Sequence, residues 1–216
     1  VYEPEDLTQT TPIIFFTRWI THLCAPAFVF LAGISAFLFG NKVNSRKDLQ
    51  KFLITRGLFL ILLEETLISL AWRFSIDLST IRGLVIWGLG WSMIFLAALL
   101  SLNTKTILWI SILILCFHNL LDPIHFENKL LQSIWSFFHQ QDKIQFLSNP
   151  NDPNSVYFTW RILYPVLPMI GLMGLGYWVG VWYKNDFKAD IRQGMLFNTG
   201  IILISAFVLL RFMQYV

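Results

Sequence analysis

Two pairs of ionisable side chains lie inside apolar segments of this sequence. Their residue types, histidine, arginine and glutamate, are those found in proton-transfer sites. Arg18 and His22 stand four residues apart in the first long apolar segment, so on a helix they share one face. Glu64 and Glu65 are adjacent carboxylates in the second apolar segment. Ionisable groups within apolar spans are energetically costly and usually mark function. We therefore expect a polar site between these two segments.

The chemistry that this set predicts is general-base catalysis. A carboxylate from Glu64 or Glu65 can orient the His22 imidazole, which then removes a proton from a substrate. Arg18 can stabilise a developing oxyanion or hold an acyl donor. The simpler alternative is an ion pair between Arg18 and one glutamate that ties two helices together. Either interpretation brings the two segments into contact.

Three more residues near predicted helix ends are candidates for substrate binding, namely Arg73, Arg161 and Tyr164. The alternative for the arginines is an ordinary interface position, from which a long side chain reaches the lipid headgroups. The motif His118-x3-Asp122-x2-His125 has residue types found in metal sites, but Pro123 breaks the helix between them. We expect no bound metal.

The composition is that of a polytopic membrane protein. Of the 216 residues, 56% are hydrophobic and 13% are charged, whereas a soluble domain has about 25% charged residues. The net charge is +3, and the sequence has no basic patch interleaved with aromatic residues. Nucleic acid is therefore not an expected partner. The first twelve residues are acidic and polar, unlike the start of a signal peptide. Because no initiator Met is present, we expect a fragment of a larger bundle or a processed product.

Hydropathy predicts an all-α fold, a single transmembrane domain of about six spans over residues 1–216. A helix needs about 20 apolar residues to cross a bilayer. The predicted spans are residues 13–40, 52–72, 83–102, 106–121, 162–183 and 195–213. In the fifth span, Gly176-x3-Gly180 predicts close helix packing, either within the bundle or at an oligomer face.

Lys and Arg in short loops predict the orientation of these spans. Basic residues concentrate in three connections, as Lys42, Arg46, Lys47, Lys51, Lys105, Lys184, Lys188 and Arg192. We expect these connections to be cytoplasmic and the N-terminus of the chain to be extracytoplasmic. The long connection 122–160 is then extracytoplasmic, and its segment 128–140 has the pattern of a helix lying along the membrane surface. This topology places His22, Glu64 and Glu65 in the outer half of the bilayer.

Several motifs together resemble a bacterial membrane family related to heparan-α-glucosaminide N-acetyltransferase. They are Thr17-Arg18-Trp19-Ile20-Thr21-His22-Leu23-Cys24-Ala25-Pro26, Thr55-Arg56-Gly57 with Glu64, and Tyr164-Pro165-x2-Pro168-x-Ile170-Gly171. The resemblance implies a transmembrane acyltransferase bundle that passes an acyl group, typically from cytoplasmic acetyl-CoA, to a sugar on the far side. It also implies further helices before Val1 and after Val216. Pro12 stands where the family has its catalytic histidine, so His22 is a candidate on the residues alone.

We therefore expect a membrane acyltransferase that modifies a sugar or glycan at the extracytoplasmic face of a bacterial inner membrane, with acetyl-CoA or another acyl-CoA as donor. His22, Glu64 and Glu65 are its predicted catalytic residues, and Arg18, Arg73, Arg161 and Tyr164 its predicted substrate-binding residues. Expected partners are membrane lipids, the glycan acceptor, and a homo-oligomer or larger membrane complex. The alternative is a non-enzymatic membrane subunit or transporter-like protein whose polar cluster is structural.

Overall fold

A computed structural model describes residues 11–43, 45–74, 79–147, 155–184 and 188–213. Within these ranges the side chains of Phe15, Arg18, Trp19, His22, Trp72, Arg73 and residues 210–213 lie outside the description. The described part is mostly helical, which confirms the predicted fold class. The helices are α1 (Pro12–His22), α2 (Cys24–Val43), α3 (Arg46–Leu63), α4 (Ser69–Arg73), α5 (Val85–Leu99), α6 (Thr104–Phe117), α7 (Lys129–Phe138), α8 (Val166–Val179) and α9 (Ala189–Met213).

The first predicted span is two helices rather than one. Helix α1 ends at His22, Leu23 forms a turn, and α2 begins at Cys24. The cause is Pro26, which has no N–H to donate to the His22 carbonyl four residues earlier. The next N–H along the chain, that of Ala27, does donate to the Leu23 carbonyl at 3.1 Å. The break puts a bend beside the predicted site.

The second predicted span is one continuous helical run with a π-helical turn inside it. Ser45 caps α3 by accepting a hydrogen bond from the Asp48 N–H at 3.3 Å. Helix α3 continues into a π-helical turn at Glu64–Ile68 and then into α4. Phe74, with φ of 54°, ends the run in the left-handed conformation. Both glutamates therefore sit on the widened turn.

Four helical segments within the described ranges are long and apolar enough to cross a membrane, and they are Cys24–Val43, Thr104–Leu121, Val166–Tyr183 and Ala189–Leu209. Helix α5 is apolar but has 15 residues, or about 22 Å at 1.5 Å per residue, which is shorter than a bilayer core of about 30 Å. The six-span topology remains a prediction. No part of the apolar stretch in α9 is buried.

Glycine positions set the helix packing of the bundle. A Cβ atom on Gly176 of α8 would collide with the Phe30 carbonyl of α2, and one on Gly33 of α2 would collide with the Met173 carbonyl of α8. In the same way, a Cβ on Gly57 of α3 would lie 2.5 Å from the Gly90 carbonyl oxygen of α5. The glycine motif of the fifth span thus serves packing within the bundle, as in one of the two predicted interpretations.

A three-stranded sheet is the main departure from the all-α prediction. Strands β1 (Thr80–Gly83), β2 (Asp142–Leu147) and β3 (Val156–Ile162) lie in the order β1-β3-β2. β3 is parallel to β1 and antiparallel to β2. Its apolar side joins a core with α5 and α7 that includes Ile144, Ile162, Trp87 and Phe137. Helix α7 lies inside the segment 128–140 that was predicted to be helical.

Candidate functional site

A cavity of about 480 Å³ lies where α1 meets α2, next to the connection between β3 and α8. We call it the α1–α8 cavity. It is lined by Thr21, Ala25, Pro26, Gln141, Leu163, Tyr164, Pro165, Pro168, Met169 and Leu172. Two of the family-like motifs, around Thr21 and around Tyr164, thus contribute to one cavity. Pro165 and Pro168, at the start of α8, form part of its wall.

Tyr164 is positioned by the end of strand β1. The backbone N–H groups of Leu163 and Tyr164 donate to the Gly83 carbonyl at 3.0 and 3.1 Å. On α5, Gly88 leaves room for the Met169 side chain. A Cβ added at Gly88 would also lie 3.6 Å from the Cβ of Tyr164. The tyrosine predicted to bind substrate is therefore half-buried at the cavity, and its backbone is held by the end of β1.

Glu64 has a partner that the sequence does not reveal. Its side chain is buried, with 3% of the residue exposed. Its Oε2 accepts a hydrogen bond from the Trp87 backbone N–H at 3.3 Å. Trp87 lies in the first turn of α5, and the capping position before that helix, Leu84, offers no side-chain acceptor. The free N–H groups and positive end of a helix N-terminus favour such a carboxylate.

Glu65 is half-buried and directly follows Glu64 on the π-helical turn. Insertions of π-helix within α-helices occur frequently at functional sites, because they change the direction in which successive side chains project. Neither Glu64 nor Glu65 is among the residues that line the α1–α8 cavity. That one of them orients His22 stays a prediction.

The side chains of Arg18, His22 and Arg73 lie outside the described part of the structure. Their predicted roles, and the alternative ion pair between Arg18 and a glutamate, stay predictions. The backbone of α1 ends at His22, one residue after the cavity-lining Thr21. Arg161 is exposed on β3, between Arg82 and Lys143 on the neighbouring strands, and does not line the α1–α8 cavity.

A pair formed by His139 and Asp122 was not predicted. Nε2 of His139 lies 2.9 Å from Oδ1 of Asp122, with the histidine side chain 1% exposed and the aspartate side chain 65% exposed. The Gln140 amide also donates to the Asp122 carbonyl at 3.0 Å. The contacts tie the end of α7 to the segment after α6. The only sequence signal was the position of His139 at the end of an amphipathic helix.

Metal binding receives no support from the part of the chain that the structure describes. No group of three or more His, Cys, Asp or Glu residues there is placed to hold a metal ion. His118 instead directs Nδ1 to the Ile114 carbonyl oxygen, 3.0 Å away, and Asp122 is paired with His139.

A second, more apolar groove of about 890 Å³ lies between α2, α3 and α5. Arg56 and Phe52 both line it, and the guanidinium of Arg56 lies 4.9 Å from the centre of the Phe52 ring. Arg56 belongs to the second family-like motif, and the next residue, Gly57, sets the close contact of α3 with α5.

Apolar helices of membrane-spanning length, packed through glycine contacts and joined to a small sheet beside a cavity, define an integral membrane protein of the helical-bundle class. Residues 5–210 match the family described as heparan-alpha-glucosaminide N-acetyltransferase, catalytic. The chain belongs to this family, as its motifs predicted. No curated protein and no solved structure matches it.

Proposed function

We propose that this protein is an acyltransferase that passes an acetyl or other acyl group from an acyl-CoA to a sugar or glycan at the extracytoplasmic face of the membrane. The observation that carries the proposal is the α1–α8 cavity. It brings the motif around Thr21 together with the motif around Tyr164, within a chain of an N-acetyltransferase family. A concave, largely apolar cavity with a few polar side chains, here Thr21, Gln141 and Tyr164, is the expected form of a substrate site.

In the proposed reaction, His22 takes the proton from an acceptor hydroxyl or amine as that group attacks the thioester carbonyl. The carbon–sulfur bond of the donor then breaks, and the coenzyme leaves as its thiolate, which takes up a proton. Arg18 stabilises the negative charge that develops on the carbonyl oxygen. General-base help of this kind contributes about 10²–10⁴-fold, and one oxyanion donor contributes about 10²–10³-fold.

Glu65 is assigned the task of orienting His22, because the Glu64 carboxylate caps α5. Tyr164, which lines the cavity, is assigned to the acceptor. Arg73 and Arg161 remain proposed contacts for the outer parts of the substrate. The localisation that accompanies this function is a bacterial inner membrane, with the N-terminus of the chain extracytoplasmic.

The proposal is tested with purified protein in proteoliposomes that contain labelled acetyl-CoA and are supplied with a panel of amino sugars outside. His22→Ala is expected to lower acetyl transfer by about 10²-fold or more. The matched control is His125→Ala, which removes an exposed histidine that does not line the cavity. Equal turnover of wild type and His22→Ala would remove His22 from the mechanism.

A second candidate is a non-enzymatic or transporter-like subunit of a larger membrane assembly. The observation that favours it is α9, whose apolar stretch Ala189–Leu209 has no buried part and could pack against further helices or a second copy. Crosslinking of single cysteines on α9 in native membranes tests this role. A protein that forms such crosslinks but transfers no acyl group to any acceptor would favour the second candidate.

A further inference from the structure

The exposed face of the three-stranded sheet carries three basic residues side by side. The strand register places Arg82 of β1 opposite Arg161 of β3, and Arg161 opposite Lys143 of β2. Residues directly opposite each other on neighbouring strands project from the same face of a sheet. We call Arg82, Arg161 and Lys143 the cationic row.

The cationic row lies on the face of the sheet opposite the protein core, and Arg82 is its half-buried member. Lys143 and Arg161 are exposed, whereas Ile144 and Ile162, the next residue on each strand, are buried. Those isoleucines belong to the core shared with α5 and α7. The alternation of strand side chains between the two faces therefore gives the sheet one apolar and one cationic side.

Nothing in the described part of the chain neutralises these three charges. Their side chains make no hydrogen bond or ion pair there, and Nε of Arg82 is buried without a hydrogen-bond partner. Like charges directly opposite each other destabilise a sheet, and a buried donor without an acceptor adds to that cost. An anionic ligand on the exposed face of the sheet would relieve the repulsion among the three charges.

The spacing of the row indicates which anion fits. Neighbouring strands are about 4.8 Å apart, so three side chains span about 10 Å. A phosphate monoester carries about −1.5 to −2 charges at neutral pH, so a ligand with two adjacent phosphates comes closer to balancing three cations than a single carboxylate does. Guanidinium groups also match phosphate oxygens through two parallel hydrogen bonds.

The position of the row indicates where such a ligand would bind. Arg82 lies three residues before the start of α5, and Arg161 lies five residues before the start of α8. The row therefore stands at the level where α5 and α8 begin. It is also close to the α1–α8 cavity, since Gln141 and Leu163 adjoin the paired strand ends Asp142 and Ile162 and both line that cavity.

We propose that the cationic row binds a ligand with two adjacent phosphate groups, either free in solution or carried by a membrane lipid. The site shares Arg161 with the proposed substrate contacts, but it goes beyond acyl transfer and its test does not depend on transferase activity. Because the readout is binding, a protein without transferase activity can still confirm the site, and an active transferase can still lack it.

The test measures binding of inorganic pyrophosphate to the purified full chain in detergent by calorimetry. Arg161→Gln is expected to weaken binding by about tenfold or more, since a charge-assisted hydrogen-bonding group is lost. Lys129→Gln is the matched control, because Lys129 is an exposed cation at the start of α7 outside the row. Pyrophosphate should raise the thermal midpoint of wild type and Lys129→Gln by similar amounts, and that of Arg161→Gln by less.

Nanodiscs distinguish the two sources of phosphate. Weaker pyrophosphate binding in anionic than in zwitterionic phospholipid would identify lipid headgroups as competitors for the row. Equal binding in both would identify a free or lipid-linked diphosphate. Sulfate binding as tightly as pyrophosphate, or Arg161→Gln binding like wild type, overturns the proposal. If Arg161→Gln fails to fold, unchanged affinity in both Arg161→Lys and Lys143→Gln overturns it instead.

Discussion

The Glu64 carboxylate accepts a hydrogen bond from the Trp87 backbone N–H at 3.3 Å, which joins the π-helical turn after α3 to the first turn of α5. The two helices also meet through the close contact of Gly57 with Gly90. Glu64, one of the two glutamates predicted to be catalytic, thus has a structural partner. This contact distinguishes Glu64 from Glu65, although the two residues looked equivalent in the sequence.

Replacing Glu64 by Ala is expected to lower the free energy of unfolding by about 1–2 kcal/mol, because α5 loses its N-terminal acceptor. Glu64→Gln keeps an oxygen acceptor and should lose less. Thermal unfolding in detergent measures the difference, with the exposed Glu127→Ala as control. Wild-type stability in Glu64→Ala would contradict the capping role.

The two glutamates should also differ in activity. Glu65→Gln is expected to lower acetyl transfer by about 10²-fold, because the His22 base loses its orienting carboxylate. Glu64→Gln should retain most of the turnover. The measurement compares turnover at saturating donor for the two variants, and the reverse order would reassign the orienting role to Glu64.

Gly176→Ala is expected to destabilise the bundle by about 1–3 kcal/mol, because the new methyl group would strike the Phe30 carbonyl of α2. Gly200→Ala on α9 is the matched control, since a Cβ there meets nothing within 4 Å. The control should be neutral or stabilising by up to about 1 kcal/mol, as alanine favours a helix. Equal loss in both variants would argue against close packing of α2 and α8.

His139→Ala is expected to loosen α7 by removing its contact with Asp122, at a cost of about 1 kcal/mol. Hydrogen exchange over Lys129–Phe138 should become faster, while exchange in α8 stays unchanged. His125→Ala, which removes an exposed histidine of the same connection, should leave both rates as they are. Unchanged exchange in α7 would show that the pair does not anchor this helix.

Membrane orientation can be tested with single cysteines in a Cys24→Ser, Cys116→Ser background. Glu127→Cys should react with an impermeant maleimide added outside intact cells, and Asn41→Cys should react only after permeabilisation. The reason is the excess of Lys and Arg in the connections of the Asn41 side. The opposite pattern would invert the predicted topology and move the proposed acceptor site to the cytoplasm.

The sequence by itself determined the membrane class, the helical fold and the family. Long apolar runs can cross a bilayer only as helices or barrels, so the lengths of these runs were enough to predict the class and the fold, and the three motifs were enough to predict the family. The break after His22 was also encoded locally, because Pro26 removes one backbone donor. These features depend on residues that are close together in the chain.

Only the tertiary structure decided which polar groups meet. The pairing of β1 with β3, the cap that Glu64 provides for α5, and the contact of Asp122 with His139 all join segments far apart in the sequence. Hydropathy records how apolar a segment is but not which neighbour it packs against. The cationic row exists for the same reason, since Arg82, Arg161 and Lys143 come from three separate strands and become a single charged surface only through the register of the sheet.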